Sequence, residues 1–179
     1  MVVCISKAAP KTRLGYEMMD KNVTDKDRTR LHQCIELALE AEQAGNLPIG
    51  AIISIGDEVI AKGKNSVWMP EFNANRHAEI ETLRAVPPEF WNRSRDMTLY
   101  TTLEPCLMCM GALLLFRVGR VVFGASDDYG GAGCVIGHMP LYFETELLST
   151  QWIGPALPKE CDELSARTRA LVTAHAADV

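Results

Sequence analysis

Apolar residues recur along this chain first at helical spacing and then in short β-type runs, and that alternation sets out the fold. Leu31, Cys34, Ile35, Ala38 and Ala41 lie three or four apart, which predicts a helix capped by Thr24 or Asp25 and ending near Gly45-Asn46. Pro48 to Ile55 is rich in β-branched residues, Gly56-Asp57 supplies a turn, and Glu58 to Lys62 returns as a second strand. Together they predict a β-hairpin closing at Gly63-Lys64-Asn65. After a loop holding Pro70 and Asn73-Ala74-Asn75, His77 to Arg84 reads as a short helix with His77 at its start. It stops before Pro87-Pro88, because the residue ahead of a proline is pushed out of the α region. Met97 to Leu103 is a strand running into Glu104-Pro105, Cys106 to Phe116 has the length and apolar content of a buried helix, and Arg120 to Ala125 is another strand. Asp127 to Gly137, with Gly130, Gly131 and Gly133, is a loop, and Glu160 to Val172 a final helix.

Strands alternating with helices in this order imply an α/β layered domain around a mostly parallel sheet, with the hairpin as its antiparallel part. Residues 1–23 lack sustained periodicity and are assigned to an N-terminal arm, leaving residues 24–179 as one domain. No run approaches the ~18 apolar residues of a membrane span, and the first residues lack a signal-peptide pattern, so a soluble protein with no membrane partner is expected. The six cysteines, Cys4, Cys34, Cys106, Cys109, Cys134 and Cys161, are too scattered for a disulfide-stapled secreted domain and point to a reducing cytoplasm. A net charge of −5 gives no general attraction to a polyanion. Lys62, Lys64, Arg117 and Arg120 are the candidates for a local basic patch and read as solvated charges.

The chemistry concentrates in His77-Ala78-Glu79 and Pro105-Cys106-Leu107-Met108-Cys109, which offer one imidazole and two thiols for a divalent metal with a carboxylate close by. A structural zinc site normally closes with four protein ligands, whereas a catalytic one keeps a position for water, so three ligands beside a spare glutamate point to hydrolysis. Cys106 and Cys109 are three apart and share one helix face, and the positive end of that helix favours their thiolates. Alone, the Cys-x-x-Cys could equally be a redox pair or two core cysteines; the upstream His-x-Glu shifts the reading to zinc. Glu79, two residues from His77, does not share its face on a continuous helix and fits a separate role as proton carrier. H-x-E…P-C-x-x-C is the pattern of zinc deaminases that act on nucleobases.

With these residues in view, the chain resembles the cytidine and deoxycytidylate deaminase superfamily, most of all its tRNA-specific adenosine deaminase branch. The likeness runs from about Leu31 to Val172, through Leu47-Pro48-Ile49-Gly50-Ala51, His77-Ala78-Glu79-Ile80, Thr102 to Ala112 and Arg117 to Ala125. It implies a three-layer α/β/α fold with a mixed sheet, Zn2+ held by His77, Cys106 and Cys109, Glu79 as proton shuttle, and a homodimer. It also matches Asn65, by itself a turn residue, to an asparagine that contacts base or sugar, and Asp127, which an ordinary Asp-Asp turn would equally explain, to a loop aspartate near bound nucleotide. Where relatives have Asp-Pro-Thr-Ala before His-Ala-Glu, this chain has Asn73-Ala74-Asn75-Arg76. Arg76 is therefore either a substrate-binding residue for an anionic or carbonyl-rich substrate, or a cation paired with an acid such as Asp127 or Asp128.

Acidity, the altered loop and Arg76 favour deamination of a free nucleobase, nucleoside or related amino-heterocycle. Family likeness favours the alternative, adenosine editing in tRNA. A third reading, a non-catalytic zinc-stabilised interaction subunit, leaves Glu79 without a purpose.

Overall fold

The structure, a computed structural model, describes residues 22–177. The proposed arm lies outside the described residues except for its last two. The first helix, α1 (Asp25–Gln43), begins in a capping box: the Asp27 amide donates to Thr24 Oγ1 at 3.2 Å, and the Thr24 amide donates to Asp27 Oδ2 at 2.8 Å. Asp27 also receives both arms of the Arg120 guanidinium at 2.7 and 2.8 Å, so the helix start is bolted to the sheet.

Strands β1 (Gly50–Ile55) and β2 (Glu58–Lys64) form the expected hairpin. Helix α2 (Ala78–Arg84) and a 3-10 segment (Pro88–Asp96) lead to β3 (Met97–Leu103). After β3 come α3 (Leu107–Leu115), β4 (Arg120–Ala125) and a 3-10 turn (Ala132–Val135). The chain ends through α4 (Leu141–Leu148), β5 (Gln151–Ile153) and α5 (Pro158–Ala177).

The sheet order is β2-β1-β3-β4-β5. β1 pairs antiparallel with both β2 and β3, while β3–β4 and β4–β5 are parallel. The expected mostly parallel sheet is thus evenly mixed, because β1, the inner strand of the hairpin, meets β3 head to tail.

Register separates the two faces. Ala51 opposes both Gly63 and Thr101, and Thr101 opposes Phe123, so these residues share the side covered by α2. A Cβ on Gly63 would stand 2.4 Å from Thr82 Oγ1 and 2.7 Å from the Ala78 carbonyl, so only glycine lets α2 settle onto β2. Thr82 uses that approach to donate to the Ala51 carbonyl at 3.2 Å. On the other side, α1 meets Tyr100 through Cys34 and joins α5 through the Arg167–Glu42 pair. With helices on both sides, β1, β3 and β4 are buried almost continuously rather than in alternation.

Three sequence expectations change. Helix α3 buries Cys109, Met110, Leu113 and Leu114 but exposes Leu107 and Leu115, so it is covered on one side only. Residues 138–159, left unassigned above, hold α4 and β5. The final helix runs longer in both directions than Glu160 to Val172. Of the four proposed patch cations, Lys64 pairs with Glu40, Arg117 with Glu146 and Arg120 with Asp27.

Candidate metal centre and active site

His77 and Cys106 are the N-cap residues of α2 and α3, both with extended backbone (φ −68°, ψ 152° and φ −70°, ψ 172°). An N-cap side chain leaves the helix axis rather than lying along it, so two helix starts can aim at one point. Cys109, one turn into α3, completes the set. His77 Nδ1 lies 3.6 Å from the sulfur of Cys106 and 3.6 Å from that of Cys109, and all three ligand atoms fall within 4.8 Å of one another. Tetrahedral zinc with ordinary Zn–N and Zn–S bonds holds such atoms about 3.5 Å apart. The donor set and its spacing therefore fit a zinc ion.

The thiols differ in proton affinity. A hydrogen bond from the Cys109 thiol, with help from His77, holds Cys106 down to about 4 despite burial. Cys109, donor in that bond and itself buried, is pushed well above the usual thiol range. His77 is raised by its hydrogen bond to Cys106. Metal uptake at such a set must displace protons.

Glu79 is only 4% exposed. Because His77 is a cap and not a helical residue, the two-residue separation still brings the Glu79 carboxylate to the centre. Oε2 lies 3.5 Å from Cys109 Sγ, and Oε1 accepts from the Thr101 hydroxyl at 3.2 Å. Burial raises its pKa above the ordinary carboxylate value. A carboxylate that holds its proton more tightly than usual, beside a metal set, can both take a proton and return one.

His77 also forms part of the wall of a cavity of about 560 Å³ lined by Leu47, Val67, Trp68, Phe72, Val172 and His175. Trp68 and His175 stack with ring centroids 4.6 Å apart, and Phe72 is 68% exposed. The end of α5 thus forms part of the mouth. Trp68, Phe72, His175 and Thr101 were not singled out from sequence; only the aromatic residues just upstream of His77 carried a local signal.

The remaining candidates separate. Asn65 is 1% exposed; its Oδ1 accepts from the Val67 amide at 3.2 Å and its Nδ2 has no hydrogen-bond partner among the described residues. A buried donor left over in this way is costly unless something else accepts from it. Asp127 accepts from the Tyr129 amide at 3.0 Å, an ordinary Asx turn. Arg76 donates to Glu81 at 2.8 Å and not to Asp127 or Asp128, because Arg76 directly precedes the His77 cap and Glu81 lies in the first turn of α2, five residues on.

The family model of the cytidine and deoxycytidylate deaminase zinc-binding region matches residues 24–125, and the chain belongs to that family. A tRNA-specific adenosine deaminase of Bacillus subtilis (strain 168) is 42% identical over 139 residues, covering 75% of this chain and 83% of the relative. A solved structure from work on A-to-I editing by tRNA:A34 deaminases at the wobble position of transfer RNA is 32% identical. Its TM-score is 0.55, and it covers 64% of this chain and 92% of its own. A guanine deaminase structure from Bacillus subtilis is 33% identical with a TM-score of 0.50, covering 55% of this chain and 64% of its own.

Proposed function

We propose that this chain is a hydrolytic deaminase that converts adenosine to inosine within a transfer RNA. The observation that carries the chemistry is the meeting of His77, Cys106 and Cys109 within 4.8 Å, with the Glu79 carboxylate 3.5 Å from Cys109. We assign His77, Cys106 and Cys109 as the ligands. Zinc, when bound, lowers the pKa of water toward ~7 and so makes a nucleophile available at neutral pH. Glu79 carries the water's two protons in turn, the first to the ring nitrogen and the second, from the new C–OH group, to the departing amine, so one C–O bond forms as one C–N bond breaks and ammonia leaves. Thr101 anchors Oε1, which leaves Oε2 toward the donor set. Asn65 Nδ2 is the donor we assign to an acceptor on the base or sugar.

The order of substrates inverts relative to the sequence reading. Arg76, the residue that pointed to a free anionic substrate, has its guanidinium on Glu81. Likeness to a tRNA-specific adenosine deaminase over most of both chains supports the RNA substrate. Deamination of a free nucleobase or nucleoside is the second reading. It is favoured by the cavity lining, in which no described residue is Lys, Arg, Asp or Glu. A homodimer is also proposed, and the exposed Leu107, Leu115, Leu141 and Leu148 give it an apolar surface.

The test is a parallel assay of ammonia release and inosine formation on tRNA, an anticodon stem–loop, and free bases and nucleosides. Inosine in the RNAs, with binding that weakens steeply as salt rises, is the expected result. Turnover of a free base with no action on RNA would reverse the order, and inactivity on every substrate by zinc-loaded protein would favour a non-catalytic subunit.

A further inference from the structure

Glu104 takes no part in the proton transfers above, yet it is only 3% exposed and joins the segments that carry Cys106 and Asp127. It follows β3 directly, and its amide donates to the Ala125 carbonyl at the end of β4 at 2.8 Å. Its carboxylate then accepts two amides from the loop beyond β4: Asp127 at 2.9 Å on Oε2 and Gly133 at 2.9 Å on Oε1. The same loop is zipped to the Cys106 segment by backbone. Cys106 and Gly131 form an isolated antiparallel bridge, and the Ala132 amide donates to the Pro105 carbonyl at 2.9 Å. Gly131 lies so close that a Cβ there would stand 2.6 Å from Glu104 Cδ and 2.5 Å from the Asp127 carbonyl.

A carboxylate can accept on both oxygens at once, whereas a carboxamide must turn an N–H toward one of the two amides. Hydrogen bonds to a buried ionised acceptor are among the stronger ones in a fold, and losing one leaves a buried amide unpaired. Glu104 therefore does more than fill space: it clamps the loop whose backbone backs Cys106.

We propose that Glu104 is a positioning residue for the metal centre, which fixes the Asp127–Gly133 loop against the Cys106 segment and thereby governs how firmly the metal is retained. The inference rests on Cys106 being a ligand. Its consequence is that metal retention and the placement of Asp127 depend on one side chain outside the assigned ligand set.

The test compares zinc-loaded wild type with Glu104→Gln, and with Gly131→Ala, whose added Cβ would press on the same carboxylate and on the Asp127 carbonyl. Zinc transfer to a colorimetric chelator, the thiolate charge-transfer band of the cobalt(II) form, and hydrogen exchange at the Gly133 amide are measured, none of which needs a substrate. Both variants are expected to release zinc about ten-fold faster, to shift the cobalt band, and to exchange the Gly133 amide faster. Ile153→Ala, a cavity at a buried position of β5 outside this loop, supplies a control for lowered melting temperature and is expected to release zinc at the wild-type rate. Wild-type zinc release and an unmoved cobalt band in both variants would overturn the proposal while leaving the ligand assignment intact. Wild-type protein that takes up no zinc would overturn the ligand assignment, and this proposal with it.

Discussion

The Thr101 hydroxyl donates to Glu79 Oε1 at 3.2 Å, joining the centre of β3 to the first turn of α2 and leaving Oε2 beside Cys109. Glu79→Gln is expected to lower deamination by about 10²–10⁴-fold with zinc content unchanged. Thr101→Val should lower kcat several-fold with little change in KM. Burial already raises the Glu79 pKa, and the first step needs the deprotonated form. Activity therefore falls as pH drops through that raised value. A donor to the carboxylate favours its charged form, so removing Thr101 should move the acid limb of kcat/KM to higher pH. An unmoved limb in Thr101→Val would show that this hydroxyl does not tune Glu79.

Asp27 joins the α1 cap to Arg120 of β4, and although burial opposes its charge, the Arg120 and Thr24 hydrogen bonds bring its pKa down to about 2. A carboxyl whose folded pKa is depressed contributes stability above its unfolded pKa and loses it as pH falls to the folded one. Asp27→Asn should therefore cost about 2 kcal/mol near neutral pH, with the difference from wild type shrinking between about pH 4 and pH 2. Urea melts across that range measure it; a pH-independent difference would locate the effect in packing.

Removing zinc with a chelator should abolish activity and lower the melting temperature, because a donor set already assembled binds the ion more tightly than the unfolded chain does. Zinc alone should restore both. Since His77 and the Cys109 thiol must shed protons to bind, zinc affinity should fall as pH falls, read by competition with a chelator of known affinity.

Trp68 and His175 meet at the cavity mouth from segments more than a hundred residues apart. Ring stacking on a base is worth enough that Trp68→Ala should raise KM about ten-fold, with His175→Ala in the same direction and kcat nearly unchanged in both. Equal KM values would reduce the pair to a fold contact.

Arg76→Ala should leave zinc content unchanged and, with its ion pair to Glu81 partly exposed and screened by solvent, shift the melting temperature only slightly. A large fall in turnover would restore Arg76 as a substrate-binding residue.

Much of this molecule was legible one segment at a time. Helix α1, the hairpin, β3 and β4 follow from local spacing and turn residues. His77 and Cys106 could be placed at helix starts because the residues around each carry that information. Strand β5 has three residues, too few for a period to declare itself, and α4 exposes Leu141 and Leu148, so its apolar residues trace no core stripe. The even mixture of strand directions depended on which hairpin strand lies inside, a matter of packing between distant segments.

The chain's own order of residues determined the donor types, the spacing of Cys106 and Cys109 on one face, and the presence of a carboxylate near His77, because helix caps and i,i+3 neighbours are local properties. Tertiary structure alone decided that Thr101 holds Glu79, that Asn65 Nδ2 has no partner among the described residues, and that α5 reaches the cavity. Each of these depends on where a side chain finds a partner after the layers close, and that choice is made by burial and competing hydrogen bonds, which no local pattern records.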